Sequence, residues 1–196
     1  EVVRLTEREN VLTVDGIRAT YDAIHAEGRN IKVLLFGALP CTGGSPWQRI
    51  NKRHASAALT IHKHWSIFRK LWLKFELAAE YCLKRGGLVA FEWPRNCEYW
   101  NYRRVKMFVT RHSLGFARFD GCMYGLKSTC PKTLGMPINK PWKIATNCGE
   151  IIQELCRRCD GSHIHAPCAG QDTKRTEAYT PKIAKAIHGA FRRECC

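Results

Sequence analysis

The sequence predicts an α/β fold in which helices flank a mainly parallel sheet. Two apolar runs, over residues 31–39 and 88–91, are typical of strands that are buried on both faces, and the first is broken only by Lys32 and Gly37. Between them, residues 61–82 carry apolar side chains at helical spacing. A strand, a helix and a second strand in this order indicate a right-handed crossover and parallel pairing. We therefore expect an α/β core over residues 1–127 and a Cys/His-rich, irregular C-terminal extension over residues 128–196.

The N-terminal residues predict a short strand over residues 1–5 and a helix over residues 13–26 that ends near Gly28. In nucleotide-binding sheets, an acidic residue that follows an early strand often accepts hydrogen bonds from a ribose. Glu7 and Glu9 are the candidates for that position. An acidic surface turn that binds nothing is the alternative interpretation.

The apolar run over residues 31–39 ends at Pro40-Cys41 and leads into a loop rich in Gly, Ser and Pro. Open α/β sheets bind their ligands at the carboxyl ends of the strands, so Cys41 would lie at the edge where a site is expected. A buried strand followed by a turn with an inert thiol is the simpler alternative. Polar residues at the ends of later strands would lie at the same edge and would favour a functional role for Cys41.

The loop that follows is basic and leads into a long helix. Its cationic residues include Arg49, Lys52 and Arg53. The apolar positions of the helix step by four and three residues, which is typical of a helix with one face packed against a sheet. These positions are Ile61, Trp65, Phe68, Trp72, Phe75, Ala79 and Cys82. We interpret the aromatic residues among them as core rather than as a platform for stacking bases.

The alternation of strands and helices continues through the middle of the chain. Residues 88–91 predict a buried strand that leads into Glu92, residues 103–110 predict a helix, and residues 116–121 predict a third strand. Glu92 is thus a second chemically active residue at the end of a strand. The whole pattern predicts a Rossmann-like arrangement.

In the C-terminal extension, residues 140–147 predict one more strand and residues 150–156 a short helix. A last helix is expected over residues 181–192, with Thr180 as its N-cap and Pro181 at its first position. Prolines and glycines between these segments indicate turns.

The chain is strongly basic, with a net charge of +15 and a pI near 9.6. This excess favours a polyanionic partner, most simply DNA or RNA, over a membrane surface, because no cationic helix carries a bulky apolar face. No run of about 18 apolar residues predicts a membrane-spanning helix. The N-terminus lacks the pattern of a secretory signal, so we expect an intracellular protein of the nucleus or cytoplasm. Without a secretory signal, the uneven clustering of the eleven cysteines argues against a disulfide framework.

Residues 156–168, CRRCDGSHIHAPC, form a dense cluster of metal-ligand residue types. Zinc needs four such ligands in a tetrahedron. The residues that could close a site locally are Cys159, His163, His165 and Cys168. Cys122 could replace one of them and tie the extension to the sheet. We expect a structural zinc ion, with reduced buried thiols beside surface histidines as the alternative. A deaminase-type catalytic zinc would need a His-x-Glu motif, which the cluster lacks.

Two strand ends resemble motifs of one enzyme family. Pro40-Cys41 after one strand and Glu92-Trp93-Pro94 after the next are similar to the Pro-Cys and Glu-Asn-Val motifs of cytosine-C5 DNA methyltransferases. The resemblance implies that Cys41 is a nucleophile for C6 of a flipped-out cytosine and that Glu92 holds the ring of that base. It also implies S-adenosylmethionine as the methyl donor.

The same resemblance implies further binding residues. The residues expected in a mobile loop that closes on nucleic acid are Arg49, Lys52 and Arg53. Lys140 or Lys143 would take the place of a later arginine of the family and contact nucleic acid. Glu7 and Pro40 are the candidates for cofactor binding. The Gly-rich loop that cradles S-adenosylmethionine in the family would lie before residue 1.

Longer strings over residues 2–191 resemble methyltransferase-like domains of retroelement polyproteins, chiefly from protists. These strings are PCTGGSPWQRIN, FEWPRNCEYW, DGCMYGL, KPWKIATN and HAPCAGQDTKRTEAYTP. The nucleophile motif departs from that of the active enzymes at residues 42–45. Two hypotheses follow: a methyltransferase-like domain that acts on or binds nucleic acid, or a catalytically inactive, zinc-stabilised basic module for nucleic-acid binding or assembly.

Overall fold

The computed structural model describes residues 2–6, 8–25, 32–48 and 55–196. Its helices within these ranges are α1 (Val14–His25), α2 (Ala55–Lys84), α3 (Arg103–Arg111), α4 (Gly149–Glu154), α5 (Gln171–Arg175) and α6 (Pro181–Glu194). Its strands are β1 (Leu34–Gly37), β2 (Leu88–Pro94), β3 (Gly115–Asp120) and β4 (Pro141–Thr146). None of the described helices is long and apolar enough to cross a membrane.

The strands form one four-stranded sheet in the order β1-β2-β4-β3. β1 and β2 pair in parallel, with Leu34 opposite Leu88. β3 and β4 pair antiparallel, with Gly115 opposite Thr146. The predicted α/β fold with flanking helices is therefore confirmed, whereas the sheet is mixed rather than mainly parallel. The connection from β3 to β4 holds two short 3-10 turns instead of the crossover helix that parallel pairing usually needs.

The chain divides into two compact units. The first contains Glu1–Phe91 and Asn96–Ser113, and the second contains Glu92–Arg95 and Leu114–Cys196. This division does not coincide with the boundary expected after residue 127.

The core of the first unit is built on the apolar face of α2. Phe68, Trp72 and Ala79 are at most 2% exposed, as the helical spacing predicts. The ring of Phe68 stacks on Tyr99 with a centroid distance of 3.5 Å, and the Trp72 ring meets Phe91 edge-on at 5.1 Å. The interpretation as core is confirmed for Phe68, Trp72 and Phe75, whereas Trp65 is only half-buried.

The second unit packs the apolar faces of β3, β4, α4 and α6 together. Its fully buried side chains include Phe119, Trp142, Ile144, Ile151, Leu155 and Ile183. The N-terminus of α6 has the predicted cap: the backbone N–H of Ile183 donates to Thr180 Oγ1 at 3.2 Å, and Pro181 occupies the first turn. The Thr180 hydroxyl in turn donates to the carbonyl oxygen of Tyr124 at 2.7 Å.

The strand predicted over residues 1–5 is wrong, since residues 2–6 form neither helix nor strand. A short apolar run becomes a strand only when a neighbouring strand accepts its backbone hydrogen bonds. Val2 and Val3 are 58% and 55% exposed, so they are not packed as a buried strand would be. The sequence pattern alone does not supply that neighbour.

Candidate functional site

Four metal-ligand side chains of the second unit meet in space. Cys122 lies on the 3-10 turn Gly121–Tyr124 that directly follows β3. Cys159, His163 and His165 lie on a fully described segment, residues 155–170, that contains neither helix nor strand. The candidate ligand atoms of these four residues all lie within 4.8 Å of one another. The group could therefore hold a metal ion.

Two distances within this group are close to those between two ligands of one tetrahedral metal ion. Cys159 Sγ lies 3.4 Å from His165 Nε2 and 3.7 Å from His163 Nε2. Zinc bonds of about 2.3 Å to sulfur and 2.0–2.1 Å to nitrogen, at tetrahedral angles, place sulfur and nitrogen ligands roughly 3.6 Å apart. The two imidazole rings lie against each other edge-on, with centroids 4.5 Å apart.

Backbone and carboxylate groups hold Cys159 in place. Its backbone N–H donates to Asp120 Oδ2 at 2.9 Å, and the N–H of Gly161 donates to its sulfur at 3.3 Å. Arg95 forms an ion pair with the other oxygen of the Asp120 carboxylate. Such outer contacts orient metal ligands.

The Cys122 thiol of the group is held in its protonated form. Burial and the hydrogen-bonded neighbour Cys159 raise the pKa of the Cys122 thiol to about 11. Two thiolates at this spacing repel each other, and a divalent cation between them removes that repulsion. The donor set is thus one that a cation stabilises strongly.

The structure selects between the ligand sets that the sequence left open. It brings Cys122 to the other three ligands, which is the alternative in which Cys122 replaces a local residue. Cys168, a predicted ligand, lies outside the group, and its sulfur is 3.4 Å from Thr176 Oγ1. A ligand set made only of Cys159, His163, His165 and Cys168 would have required residues 159–168 to fold back on themselves. Instead, Ala166 N–H donates to the carbonyl oxygen of Pro137 at 2.8 Å and leads the chain away.

Cys41 lies in a tight turn of the first unit. It precedes the 3-10 turn Thr42–Gly44, whose Gly44 N–H donates to the Cys41 carbonyl oxygen at 3.0 Å. A Cβ atom on Gly43 would come within 2.6 Å of the Tyr99 hydroxyl, so the turn packs directly on that ring. Burial, together with the nearby thiols of Cys97 and Cys41, raises the pKa of the Tyr99 hydroxyl. The turn thus holds the half-buried Cys41 thiol close to a protonated phenol.

Glu92 is a buried carboxyl group of the second unit. Its Oε2 accepts a hydrogen bond of 2.7 Å from the Tyr179 hydroxyl, while its buried Oε1 has no hydrogen-bond partner in the described part of the chain. Burial raises its pKa to about 7, against the opposing effects of the Tyr179 hydrogen bond and the Lys140 charge. A carboxyl group with this pKa can carry a proton near neutral pH, where an ordinary glutamate is ionised.

Lys140 is engaged within the second unit. Its ammonium group donates to the carbonyl oxygen of Thr176 at 2.6 Å and lies 5.1 Å from the ring centre of Trp142. The predicted contact of Lys140 with nucleic acid would compete with these interactions. Lys143 lies further along β4, with its ammonium nitrogen 5.1 Å from the ring centre of Phe116.

The other predicted site residues are placed as follows. Glu7 and the loop residues Arg49, Lys52 and Arg53 lie outside the described residues. Glu9 lies in a turn and accepts hydrogen bonds from the backbone and hydroxyl groups of Thr6 at 2.7 and 2.8 Å. Pro40 is exposed in the loop after β1. Cys41 belongs to the first unit and Glu92 to the second.

Sequence reasoning missed Asp120, Asp172 and Tyr179. The buried Asp172 carboxylate accepts hydrogen bonds from the Ser128 hydroxyl at 2.5 Å and from the Thr129 N–H at 3.0 Å. These bonds, led by that from Ser128, lower the pKa of Asp172 to about 2. Asp120 could have been predicted from the sequence, because it is an acidic residue at the carboxyl end of a strand, as Glu92 is. Nothing in the local sequence pointed to Asp172 or Tyr179.

Comparison with known proteins gives no relative. No protein-family model, curated protein or solved structure matches this chain.

Proposed function

We propose that this chain is a nucleic-acid-binding domain whose second unit is stabilised by a structural zinc ion. The observation that carries the proposal is the group of Cys122, Cys159, His163 and His165, whose ligand atoms lie within 4.8 Å of one another. The methyltransferase-like resemblance of the sequence is compatible with this function and supplies the second candidate below.

The choice of zinc rests on the donor set. Two thiols and two imidazoles are soft or borderline ligands, which select zinc over magnesium or calcium. Four protein ligands fill a tetrahedron and leave no position for water or substrate, which is typical of a structural rather than a catalytic site. Loss of two thiol protons balances the charge of the ion, so the net charge of +15 is unchanged by binding.

The choice of nucleic acid rests on charge. The chain has 32 Lys and Arg residues against 17 Asp and Glu residues. Arg157, Arg158 and Lys182 are among the exposed cations of the second unit. A protein with this excess attracts polyanions at long range, and the phosphate backbone is the commonest polyanion in a cell.

The zinc part is tested by metal analysis of the purified chain. We expect one zinc ion per chain, and Cys159→Ser should lose it. The matched control is Cys156→Ser, which removes an exposed cysteine of the same segment that lies outside the group. Equal zinc content in wild type and Cys159→Ser would refute the assignment of these ligands.

The nucleic-acid part is tested by fluorescence anisotropy with a labelled 20-nucleotide strand in increasing salt. Binding through phosphates predicts that log K falls linearly with log salt, with a slope of about −0.7 for each phosphate contacted. Affinity independent of salt, or no binding by the zinc-loaded chain, would refute the proposal.

A second candidate function is cytosine methylation, and Glu92 is the observation that favours it. A buried carboxyl group with a pKa of about 7 can be protonated at neutral pH, and its Oε1 is without a partner among the described residues. A protonated carboxyl group can donate a hydrogen bond to a ring nitrogen, which is the role that the resemblance implies for Glu92. Cys41 would be the nucleophile toward C6 of the base, with S-adenosylmethionine supplying the methyl group.

The sheet order is compatible with this second candidate. β4 lies between β2 and β3 and runs opposite to β3. The parallel pairing of β1 with β2, joined through α2, supports a Rossmann-like classification as a proposal.

Transfer of a radiolabelled methyl group from S-adenosylmethionine to DNA and RNA tests the second candidate. We expect Cys41→Ser to abolish transfer and Glu92→Gln to lower it by at least tenfold, with both variants folded. Cys97→Ser is the control, because it removes a neighbouring thiol of the first unit. Undiminished transfer by Cys41→Ser would exclude Cys41 as the nucleophile, and no transfer by the wild type would leave the binding domain as the function.

A further inference from the structure

A cationic groove lies along one face of α6 in the second unit. We call it the α6 groove, and its volume is about 250 Å³. The charged residues that line it are Glu154, Arg157, Lys182, Lys185 and Arg193. Four cations thus face a single carboxylate among the described lining residues. This balance makes the groove more positive than the surface of an average protein.

The cations of the groove divide into a paired and an unpaired set. Arg193 is held by ion pairs with Glu150 at 2.7 Å and Glu154 at 2.8 Å. Arg157, Lys182 and Lys185 are exposed, and their side chains form no ion pair with any described residue. The unpaired three are therefore available to an external anion.

The positions of the lysines give them no role in helix stability. Lys182 lies in the first turn of α6, where the helix macrodipole disfavours a cation, and that turn has no acidic residue. Lys185 lies one turn further along the same face of the helix. Both lysines line the groove, and their positive charges destabilise the N-terminus of the helix rather than stabilise it.

One buried residue fixes both walls of the groove. The hydroxyl of Tyr124 donates to the carbonyl oxygen of Glu154 at 2.9 Å and accepts from the N–H of Arg157 at 3.3 Å. The carbonyl oxygen of Tyr124 accepts from the Thr180 hydroxyl at the start of α6. The backbones that carry Arg157 and Lys182 are therefore fixed before any ligand arrives, which lowers the entropic cost of binding.

We propose that the α6 groove binds the phosphates of a nucleic-acid strand. This inference rests on the proposed nucleic-acid binding and names the surface that performs it. The volume is below the range of about 300–1,000 Å³ of sites for drug-sized ligands, so the groove suits a small charged group rather than a whole cofactor. Unpaired Lys and Arg side chains on a fixed frame are the usual means of phosphate contact.

Gly189 provides a sharp test, because it lines the groove from the middle of α6. A Cβ atom at this position would meet only Nη1 of Arg193, at 3.6 Å, which is an ordinary van der Waals contact. Gly189→Glu therefore places a carboxylate in the groove without a packing clash, and replacing an internal helix glycine favours the helix. Loss of binding in this variant cannot be ascribed to loss of the fold. Gly189→Ala is the matched control.

The experiment measures anisotropy of labelled 20-nucleotide single strands of DNA and RNA with the zinc-loaded chain. We expect Gly189→Glu to weaken binding of both strands on the order of tenfold at low salt, and Gly189→Ala to leave it unchanged. Lys182→Ala with Lys185→Ala should lower the salt slope by about 1.4. The charge-matched control is the pair Lys63→Ala and Lys70→Ala on the exposed face of α2.

The outcomes separate this inference from the proposed function. No salt-dependent binding by the wild type would overturn nucleic-acid binding itself. If the wild type binds but Gly189→Glu and the double variant Lys182→Ala/Lys185→Ala reduce binding no more than their controls do, the assignment of binding to the α6 groove is wrong. Nucleic-acid binding itself would stand. A loss confined to DNA or to RNA would also overturn it, because phosphates are common to both strands.

Discussion

Helix α2 and the segment of residues 156–168 use different means of stabilisation. In α2, three aromatic side chains, Phe68, Trp72 and Phe75, are buried and pack on other rings. In the segment of residues 156–168, all of which are described, Ala166 is the one buried residue. The first region excludes water from apolar surface, whereas the second has almost no apolar surface to bury.

This contrast explains why the metal ligands are found in the second region. An irregular, polar segment cannot offset its conformational entropy by apolar burial. Ligands to one ion supply the missing free energy, as they do in small domains with little core. The contrast therefore predicts that the two regions respond to different perturbations.

The largest effect should come from removing the metal. A strong chelator, or the substitution Cys159→Ser, should lower the free energy of unfolding by about 5 kcal/mol, because metal binding is coupled to folding of the segment. For a chain of this length the melting temperature should fall on the order of 10 °C, measured by calorimetry. Cys156→Ser should change neither the melting temperature nor the zinc content. A melting temperature insensitive to chelation would show that the segment holds its fold without metal.

The next effect is specific to α2. Trp72→Ala should lower the free energy of unfolding by about 3–5 kcal/mol, because it leaves a cavity among Phe68, Phe75 and Phe91. Leu73→Ala is the matched control, since Leu73 is 38% exposed and its truncation should cost less than about 1 kcal/mol. Urea unfolding measures both. The native Trp72→Ala chain should still bind one zinc ion, and loss of that ion would contradict the separation of the two mechanisms.

A smaller effect depends on pH and on Glu92. Because the pKa of about 7 in the folded state is above the ordinary 4.5, the native state retains a proton that the unfolded chain releases between these values. The stability that this proton contributes is present below about pH 4.5 and is lost as the pH rises through 7. Glu92→Gln should therefore gain roughly 2 kcal/mol in stability over wild type between pH 5 and pH 8.

Urea unfolding of wild type and Glu92→Gln at several pH values, with free zinc held constant, measures this difference. Taking the difference between the two chains cancels the pH dependence of the metal site, which both share. A difference that stays constant with pH would mean that Glu92 titrates as an exposed carboxyl group does.

The smallest effect concerns the cap of α6. Thr180→Ala should lower the free energy of unfolding by about 1 kcal/mol, because Thr180 accepts from Ile183 N–H and donates to the Tyr124 carbonyl oxygen. Thr173→Ala, at an exposed position of α5, should remain within about 0.5 kcal/mol of wild type. If Thr180→Ala lowers the free energy of unfolding no more than Thr173→Ala does, the cap does not stabilise the second unit.

Local patterns in the sequence were sufficient for most elements and for some site residues. Repetition every three or four residues identified α2 and its buried face, because helix geometry alone decides which positions share a face. The pair Thr180-Pro181 identified the start of α6 for the same local reason. The run over residues 1–5 failed as a strand, because strand formation needs a neighbour that no local pattern specifies.

By itself, the sequence thus determined the strong net charge, most of the helices and strands, and the types of metal ligand that are present. Only the tertiary structure decided that Cys122 rather than Cys168 completes the group, because ligand choice depends on distances between residues far apart in the chain. The raised pKa of Glu92 also depends on the tertiary structure, because it results from burial of the carboxyl group by residues that are distant in the chain. The tertiary structure also forms the α6 groove, in which Tyr124 hydrogen-bonds to the segments that carry Arg157 and Lys182. Charge and residue type are properties of a chain, whereas proximity and burial arise when the chain folds.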